Sequence, residues 1–139
     1  MHQTPVQTIA RLVGIVFLLV GVAGFVPGIT TNLYEGLEFA GDRGNAELFG
    51  LFQVSVLHNI VHALFGVGIL MAATPTGART YLLGSGALYA FLFLMGIVGA
   101  GDWVPINDAD NWLHLVLAVG LTAFGLVTTR DGRQTVTTG

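Results

Sequence analysis

Ser55-Val-Leu-His58-Asn59-Ile-Val-His62 carries the side chains best suited to chemistry, near the middle of a long apolar run from Leu48 to Ala73. On a helix, residues four apart share a face, so His58 and His62 would stack one turn apart. That spacing lets two neutral imidazoles grip one transition-metal ion, zinc, copper or iron. At ~100° per residue, Ser55, His58, Asn59, His62 and Gly66 fall within an arc of roughly 100°. Glu47 and Leu51 extend the same line toward the start of the run. His114, in another apolar run, is the one further histidine outside the N-terminal tail. The candidate metal ligands are therefore His58, His62 and His114, with Asp110 or Glu47 as a fourth. Ser55, Asn59 and Asn111 are candidates to orient the imidazoles, since ligating histidines need a partner on the second nitrogen. The His114 ring is expected within ~8 Å of His58 or His62, close enough for a shared ion or a bridging water.

Other chemistries fit less well. The metalloprotease pattern needs a Glu beside the first His, but residues 59 to 61 are Asn-Ile-Val, so metal-assisted hydrolysis is not expected. A haem would need axial histidines on facing helices, such as His58 or His62 opposite His114, because His58 and His62 project from the same side. The plain alternative is a hydrogen-bonded network joining the histidines to Ser55, Asn59, Tyr89, Asn111 or water. Asn107-Asp108-Ala-Asp110-Asn111 lacks the spacing and glycine of a calcium loop; Asp108 or Asp110 is expected to cap a helix instead. Ser85 has no base beside it in the sequence, so no catalytic residue is assigned.

Composition says what must hold these residues. Of 139 residues, 53% are hydrophobic and 9% are charged, too few charges to cover a soluble domain of this size. The lipid bilayer is therefore the expected partner; nucleic acid is not, at a net charge of -3 without a basic patch. There is no cysteine, which removes disulfides and thiol chemistry. The 20 glycines suit helices that approach closely in lipid.

The expected architecture is all-α, a bundle of four membrane-spanning helices arranged as two hairpins. Residues 1–8 form a polar tail, 9–129 the membrane domain and 130–139 a second polar tail. The spans run over about 9–26, 47–73, 80–100 and 110–129. In the first, Gly14, Gly21 and Gly24 make a close-packing face; a secretory leader built on Arg11 and Leu12–Gly24 is the rival reading. The second, at ~1.5 Å per residue, would be ~40 Å long and overhang the ~30 Å hydrocarbon core at its Glu47 end. The third carries a polar line, Tyr81, Ser85 and Tyr89. Between the first two lies a polar loop whose Leu33, Tyr34, Leu37 and Phe39 should pack on the mouth of the bundle. Trp103 and Trp112 suit the interfacial aromatic belt. Val61-His62-Ala-Leu-Phe-Gly66-Val67-Gly68 weakly echoes Leu113-His114-Leu-Val-Leu-Ala118-Val119-Gly120, as two like hairpins would.

Phe25-Val-Pro27-Gly28, Gly50-Leu-Phe-Gln53-Val-Ser55-Val-Leu-His58-Asn59-Ile-Val-His62, Ala78-Arg79-Thr-Tyr81-Leu-Leu-Gly84 and Val104-Pro105-Ile-Asn107-Asp108-Ala-Asp110-Asn111-Trp112-Leu-His114 resemble a family of small bacterial four-helix membrane proteins of unknown function. The resemblance runs from about Leu12 to Leu126. It implies four spans, a bacterial inner (cytoplasmic) membrane and an uncleaved first span, and it implies no activity. The function expected is thus a non-enzymatic membrane protein with a histidine-lined interior that takes a metal ion or, as the alternative, haem. A purely structural role, alone, as a homo-oligomer or beside another membrane protein, is the third reading.

Arg11, Arg79, Arg130 and Arg133 fall on one side of the spans, and Arg43 lies on the other among seven acidic residues from Glu35 to Asp110. The positive-inside rule then places both termini in the cytoplasm. A reporter fused after Arg133 is expected to read as cytoplasmic and one inserted at Gly41–Gly44 as external. A C-terminus on the external side would break the even count of spans.

Overall fold

In a computed structural model of the chain, residues 2–99 and 104–128 are described. Helix α1 runs over Pro5–Ala23. Pro5 takes the first helical position, where its missing N–H costs nothing, and Thr4 precedes it with an extended backbone. The Thr4 N–H donates to Gln7 Oε1 at 3.0 Å, which steadies the start of the helix. The Gln7 amide group donates in turn to the Ala72 and Ala73 carbonyls, at 3.1 and 3.0 Å. One glutamine therefore ties the beginning of the first hairpin to its end.

After α1 the chain forms strand β1 (Thr30–Thr31), the one-turn helix α2 (Leu33–Gly36), and strands β2 (Glu47–Leu48) and β3 (Phe52–Gln53). The strands pair antiparallel in the order β1-β2-β3, with Thr31 opposite Glu47 and Glu47 opposite Gln53. Phe49 and Gly50 link β2 to β3 with φ of +56° and +65°, and the Leu51 N–H donates to the Leu48 carbonyl at 3.1 Å. Two positive φ values in succession are what a type I′ hairpin turn requires.

This hairpin corrects the long second span. The helix does not begin at Glu47; α3 covers Val56–Leu64, a 3₁₀ turn Phe65–Val67, and α4 Gly68–Met71. Val56–Met71 is about 24 Å long at ~1.5 Å per residue, below the ~30 Å hydrocarbon core, so there is no overhang. Leu48, Phe49, Leu51, Phe52 and Val54 prolong the apolar run, but they do so in strands and a turn. The 3₁₀ turn has an identifiable cause. The Tyr81 hydroxyl donates to the Phe65 carbonyl at 2.8 Å, and the Tyr81 ring lies where a side chain on Gly68 would have to go.

Helices α5 (Pro75–Ile97) and α6 (Asp108–Val127) complete the fold. The glycine contacts give the directions. Gly14 lies against Gly68–Ile69 and Gly21 against Asn59–Ala63, so α1 and α3–α4 are antiparallel; Gly86 lies against Ala118–Thr122 and Gly96 against Asn111, so α5 and α6 are too. The α1 helix also touches α5, which joins the two hairpins. Helices α1, α5 and α6 are long and apolar enough to cross a membrane; α3–α4 is apolar and shorter.

Packing is inverted relative to a soluble bundle. The buried positions are mostly small or polar, among them Ala10, Ala72, Ala78, Ser85, Asn59 and His114, whereas Leu12, Leu19, Leu70, Phe91, Ile97 and Trp112 face outward. In water such an exterior would be a vast adhesive patch; against lipid chains it costs nothing. The line Tyr81-Ser85-Tyr89 faces the interior along its whole length. In the long loop, Leu37 packs inward as expected, but Tyr34 and Phe39 are exposed. There the backbone does the packing: the Glu38 and Phe39 carbonyls accept the Val56 and Leu57 N–H groups at the start of α3. Trp103, Asp102, Arg130 and Arg133 lie outside the described residues.

The close approach of α1 to α3 generates a paired prediction. A side chain on Gly21 would meet the Asn59 carbonyl at 2.7 Å and main chain of Ala63, whereas one on Gly120 would meet nothing within 4 Å. Gly21→Val should destabilise the detergent-solubilised protein by about 1–3 kcal/mol or more. Gly120→Ala should raise stability by up to about 1 kcal/mol through helix propensity. Thermal unfolding that ranks the two the other way round would refute this packing.

Candidate functional site

The site is built from two helix starts locked together. Asn107 is the N-cap of α6: its Oδ1 accepts from Asp110 N at 2.9 Å, and Asp110 Oδ2 accepts from Asn107 N at 3.0 Å. The capping expected of Asp108 or Asp110 thus falls to Asn107, with Asp110 closing the reciprocal box. Asp110 Oδ2 also accepts from Gln53 N in β3 at 3.2 Å, and Asn107 Nδ2 donates to the Leu51 carbonyl at 2.8 Å. The hairpin and the head of α6 are bolted to one another. Two residues past Gln53, Ser55 caps α3, its Oγ accepting from His58 N at 3.1 Å.

From that platform His58 and His62 project on successive turns of α3, with ring centroids 4.5 Å apart and ring planes at 62°. His114, 2% exposed, comes from α6 one turn below Asp110. All three imidazoles line the same two cavities. One, of about 190 Å³, lies between α3, α5 and the Val104–Pro105 segment. The other, of about 230 Å³, lies between α1, the hairpin, α3 and α6, and Asn59 and Asp110 share its wall. The histidines therefore stand as a partition between two chambers. Tyr89 of α5 touches both sides of the row, with its ring centroid 6.5 Å from that of His62 and 5.3 Å from that of His114. Phe17 stacks on Tyr89 at 5.6 Å, with the rings 5° from parallel, and so backs the row from α1.

The Nδ1 atoms of His58, His62 and His114 are sealed from solvent and make no hydrogen bond among the described residues. Among the described residues, none of Ser55, Asn59, Tyr89 and Asn111 makes a hydrogen bond to these Nδ1 atoms. Ser55 spends its hydroxyl oxygen on a backbone amide rather than on an imidazole. Asn59 lies against Gly24 with its Nδ2 unpaired, and Asn111 lies against Gly96, away from both histidine-lined cavities, with its Oδ1 unpaired. Glu47 belongs to β2 and lines neither cavity. Among the described residues no group of three His, Asp or Glu side chains forms a ready-made metal site. The aromatic wall of Phe17, Phe65 and Tyr89 was missed in the sequence; only Tyr89, on the four-residue polar line of α5, gave a signal.

Three apolar helices long enough to cross a membrane and a largely apolar exterior suggest a membrane protein. The chain belongs to the family described as Domain of unknown function (DUF4383), whose model matches residues 7–127. That range takes in the six α-helices of the described residues except the first two residues of α1. No curated protein and no solved structure matches the chain.

The Asp110 carboxylate, 2% exposed, is the bolt of this arrangement. Asp110→Ala should cost about 1–3 kcal/mol by orphaning two amides. Hydrogen exchange should speed up at Gln53 and Asn107 before it does so in α5. Unchanged stability and exchange in Asp110→Ala would show that the carboxylate holds nothing in place.

Proposed function

We propose that this chain is a four-span protein of the bacterial cytoplasmic membrane, without catalytic activity of its own, that binds a zinc or copper ion between His58, His62 and His114. One observation carries the reading: imidazoles from two helices line common cavities, and their sealed Nδ1 atoms lack partners. Ionisable groups at membrane depth are costly and are retained for a purpose. Neutral imidazole nitrogens suit either ion.

The ligand set is completed on binding. His58 and His62 are the half already side by side on α3, and His114 closes on them from α6. Asp110 offers the oxygen that its two amide bonds leave over. The short α3–α4 counts as the fourth span, with the β2–β3 hairpin seated at the interface above it. Both termini are cytoplasmic, in keeping with Arg11 and Arg79 at the end where Gln7 meets Ala72 and with Glu47 and Asp110 at the other.

The test is metal content. Detergent-purified protein equilibrated with zinc or copper and desalted should retain one ion per chain by elemental analysis. His58→Leu/His62→Leu should retain none while keeping its helical circular dichroism. An ion present at 100 times its Kd should stabilise the wild type by about 2.7 kcal/mol. Equal metal content in the wild type and the double variant would refute the site. A strong visible absorption band from the purified protein would instead assign a haem.

A further inference from the structure

The 190 Å³ chamber is not closed on its α3–α5 side. Leu57 and Val61 of α3 and Leu88 of α5 form its rim there, and all three are exposed on the apolar exterior. A second groove of about 400 Å³ continues from it between α3–α4 and α5, sharing Val61 and Phe65 and descending past Leu64, Val67 and Gly84 to Met71. The two together make one lipid-facing slot along the length of the short span. Its character changes from end to end. The upper end has three imidazoles, the Ser55 side chain and the rings of Tyr89 and Phe65; the lower end is apolar but for Thr80, Tyr81 and Ser85.

We propose that this slot binds a neutral lipid-phase molecule with a flat, hydrogen-bonding carbonyl head, of the isoprenoid quinone class, its head among His58, His62 and His114 and its tail along α5 past Gly84. The inference rests on the membrane-spanning reading of the helices but not on the metal. Entry between Leu57, Val61 and Leu88 admits a solute of the hydrocarbon phase more readily than one of water. No lining residue of the upper chamber carries an Asp, Glu, Lys or Arg side chain, so neither a phosphate head nor a fatty-acid carboxylate would find a counter-charge. The three imidazoles that line the chamber can each donate from one ring nitrogen to a carbonyl oxygen, by choice of tautomer. The tilted rings of Tyr89 and His114, 5.3 Å apart, offer faces and edges to a planar head. A tail fits the lower groove, where a Cβ on Gly84 would have nothing within 4 Å of it.

Gly84 also supplies the test, because a side chain there fills the lower groove without touching the histidines. Wild type, Gly84→Phe and His114→Leu would be reconstituted in lipid nanodiscs and titrated with decylubiquinone, with decane as the tail-only control. Saturable binding to the wild type, weakened about tenfold or more in each variant, is expected, and decane should not compete. Gly84→Phe should still retain its metal ion, which separates this proposal from the previous one. Should the wild type bind decylubiquinone yet no metal, the slot stands and the metal site falls. Full affinity in Gly84→Phe, competition by decane equal to that of decylubiquinone, or no saturable binding to the wild type would each overturn the proposal.

Discussion

One carboxylate oxygen sets the level of everything around the histidines. Asp110 Oδ2 receives two backbone amides from different places, Asn107 at the head of α6 and Gln53 at the end of the hairpin. A buried carboxylate is tolerable only when such donors replace water, and the replacement fixes what the donors belong to. His58 lies in the first turn of α3, shortly after Gln53, and His114 follows Asp110 by one turn of α6. Joining residues 53 and 110 therefore holds the starts of both helices beside the cavities that the imidazoles line. At the opposite end Gln7 does the same for the first hairpin by binding the Ala72 and Ala73 carbonyls. Side-chain amides and carboxylates thus tie the helix ends together at both ends of the molecule.

Between those ends, closeness comes from the absence of side chains. Lipid offers no hydrophobic drive to bring helices together, so contact must come from dispersion and shape. Gly14 and Gly21 let α1 press on the main chain of α3–α4, and Gly86 lets α5 press on α6 near Thr122. Where the helices do not press together, beside the imidazoles, the chambers remain. The Tyr81 wedge has the same logic: with no side chain on Gly68, its ring enters the α4 region and its hydroxyl reaches the Phe65 carbonyl that the 3₁₀ turn turns outward.

The three long helices were legible from their apolar runs, but two of their starts were not. Helix α1 begins at Pro5 and α5 at Pro75, ahead of the expected 9 and 80, where Thr4-Pro5 and Thr74-Pro75 set up the first turns. Helix α6 starts at Asp108, close to the expected 110. The inward face of Tyr81, Ser85 and Tyr89 was legible too, from spacing alone. The second span was not, since hydropathy weighs Leu48 to Val54 the same whether the chain is helical or extended there. Gly50 after Phe49 and Ser55 three residues before His58 were the signals of a turn and a cap, outvoted by the apolar run. What brings His58 and His114 to common cavities is not an overhanging helix, as the apolar run suggested, but a hairpin held to Asp110.

A short helix creates the site as well as holding it. The first N–H groups of any helix have no partner within it, and where they are shielded from water each must find one in the protein. In α3 the Glu38 and Phe39 carbonyls take those of Val56 and Leu57, and Ser55 Oγ takes that of His58. Satisfying them requires the loop from α2 and the hairpin to fold down over the head of the helix. Those segments then wall off the space that a full-length span would have filled. His58 and His62 stand in the first turns below that roof, where a chamber, a lipid-side opening and unpaired imidazole nitrogens coincide. An uninterrupted second span, reaching up through Glu47, would have closed the chambers with helix and left the histidines nothing to face.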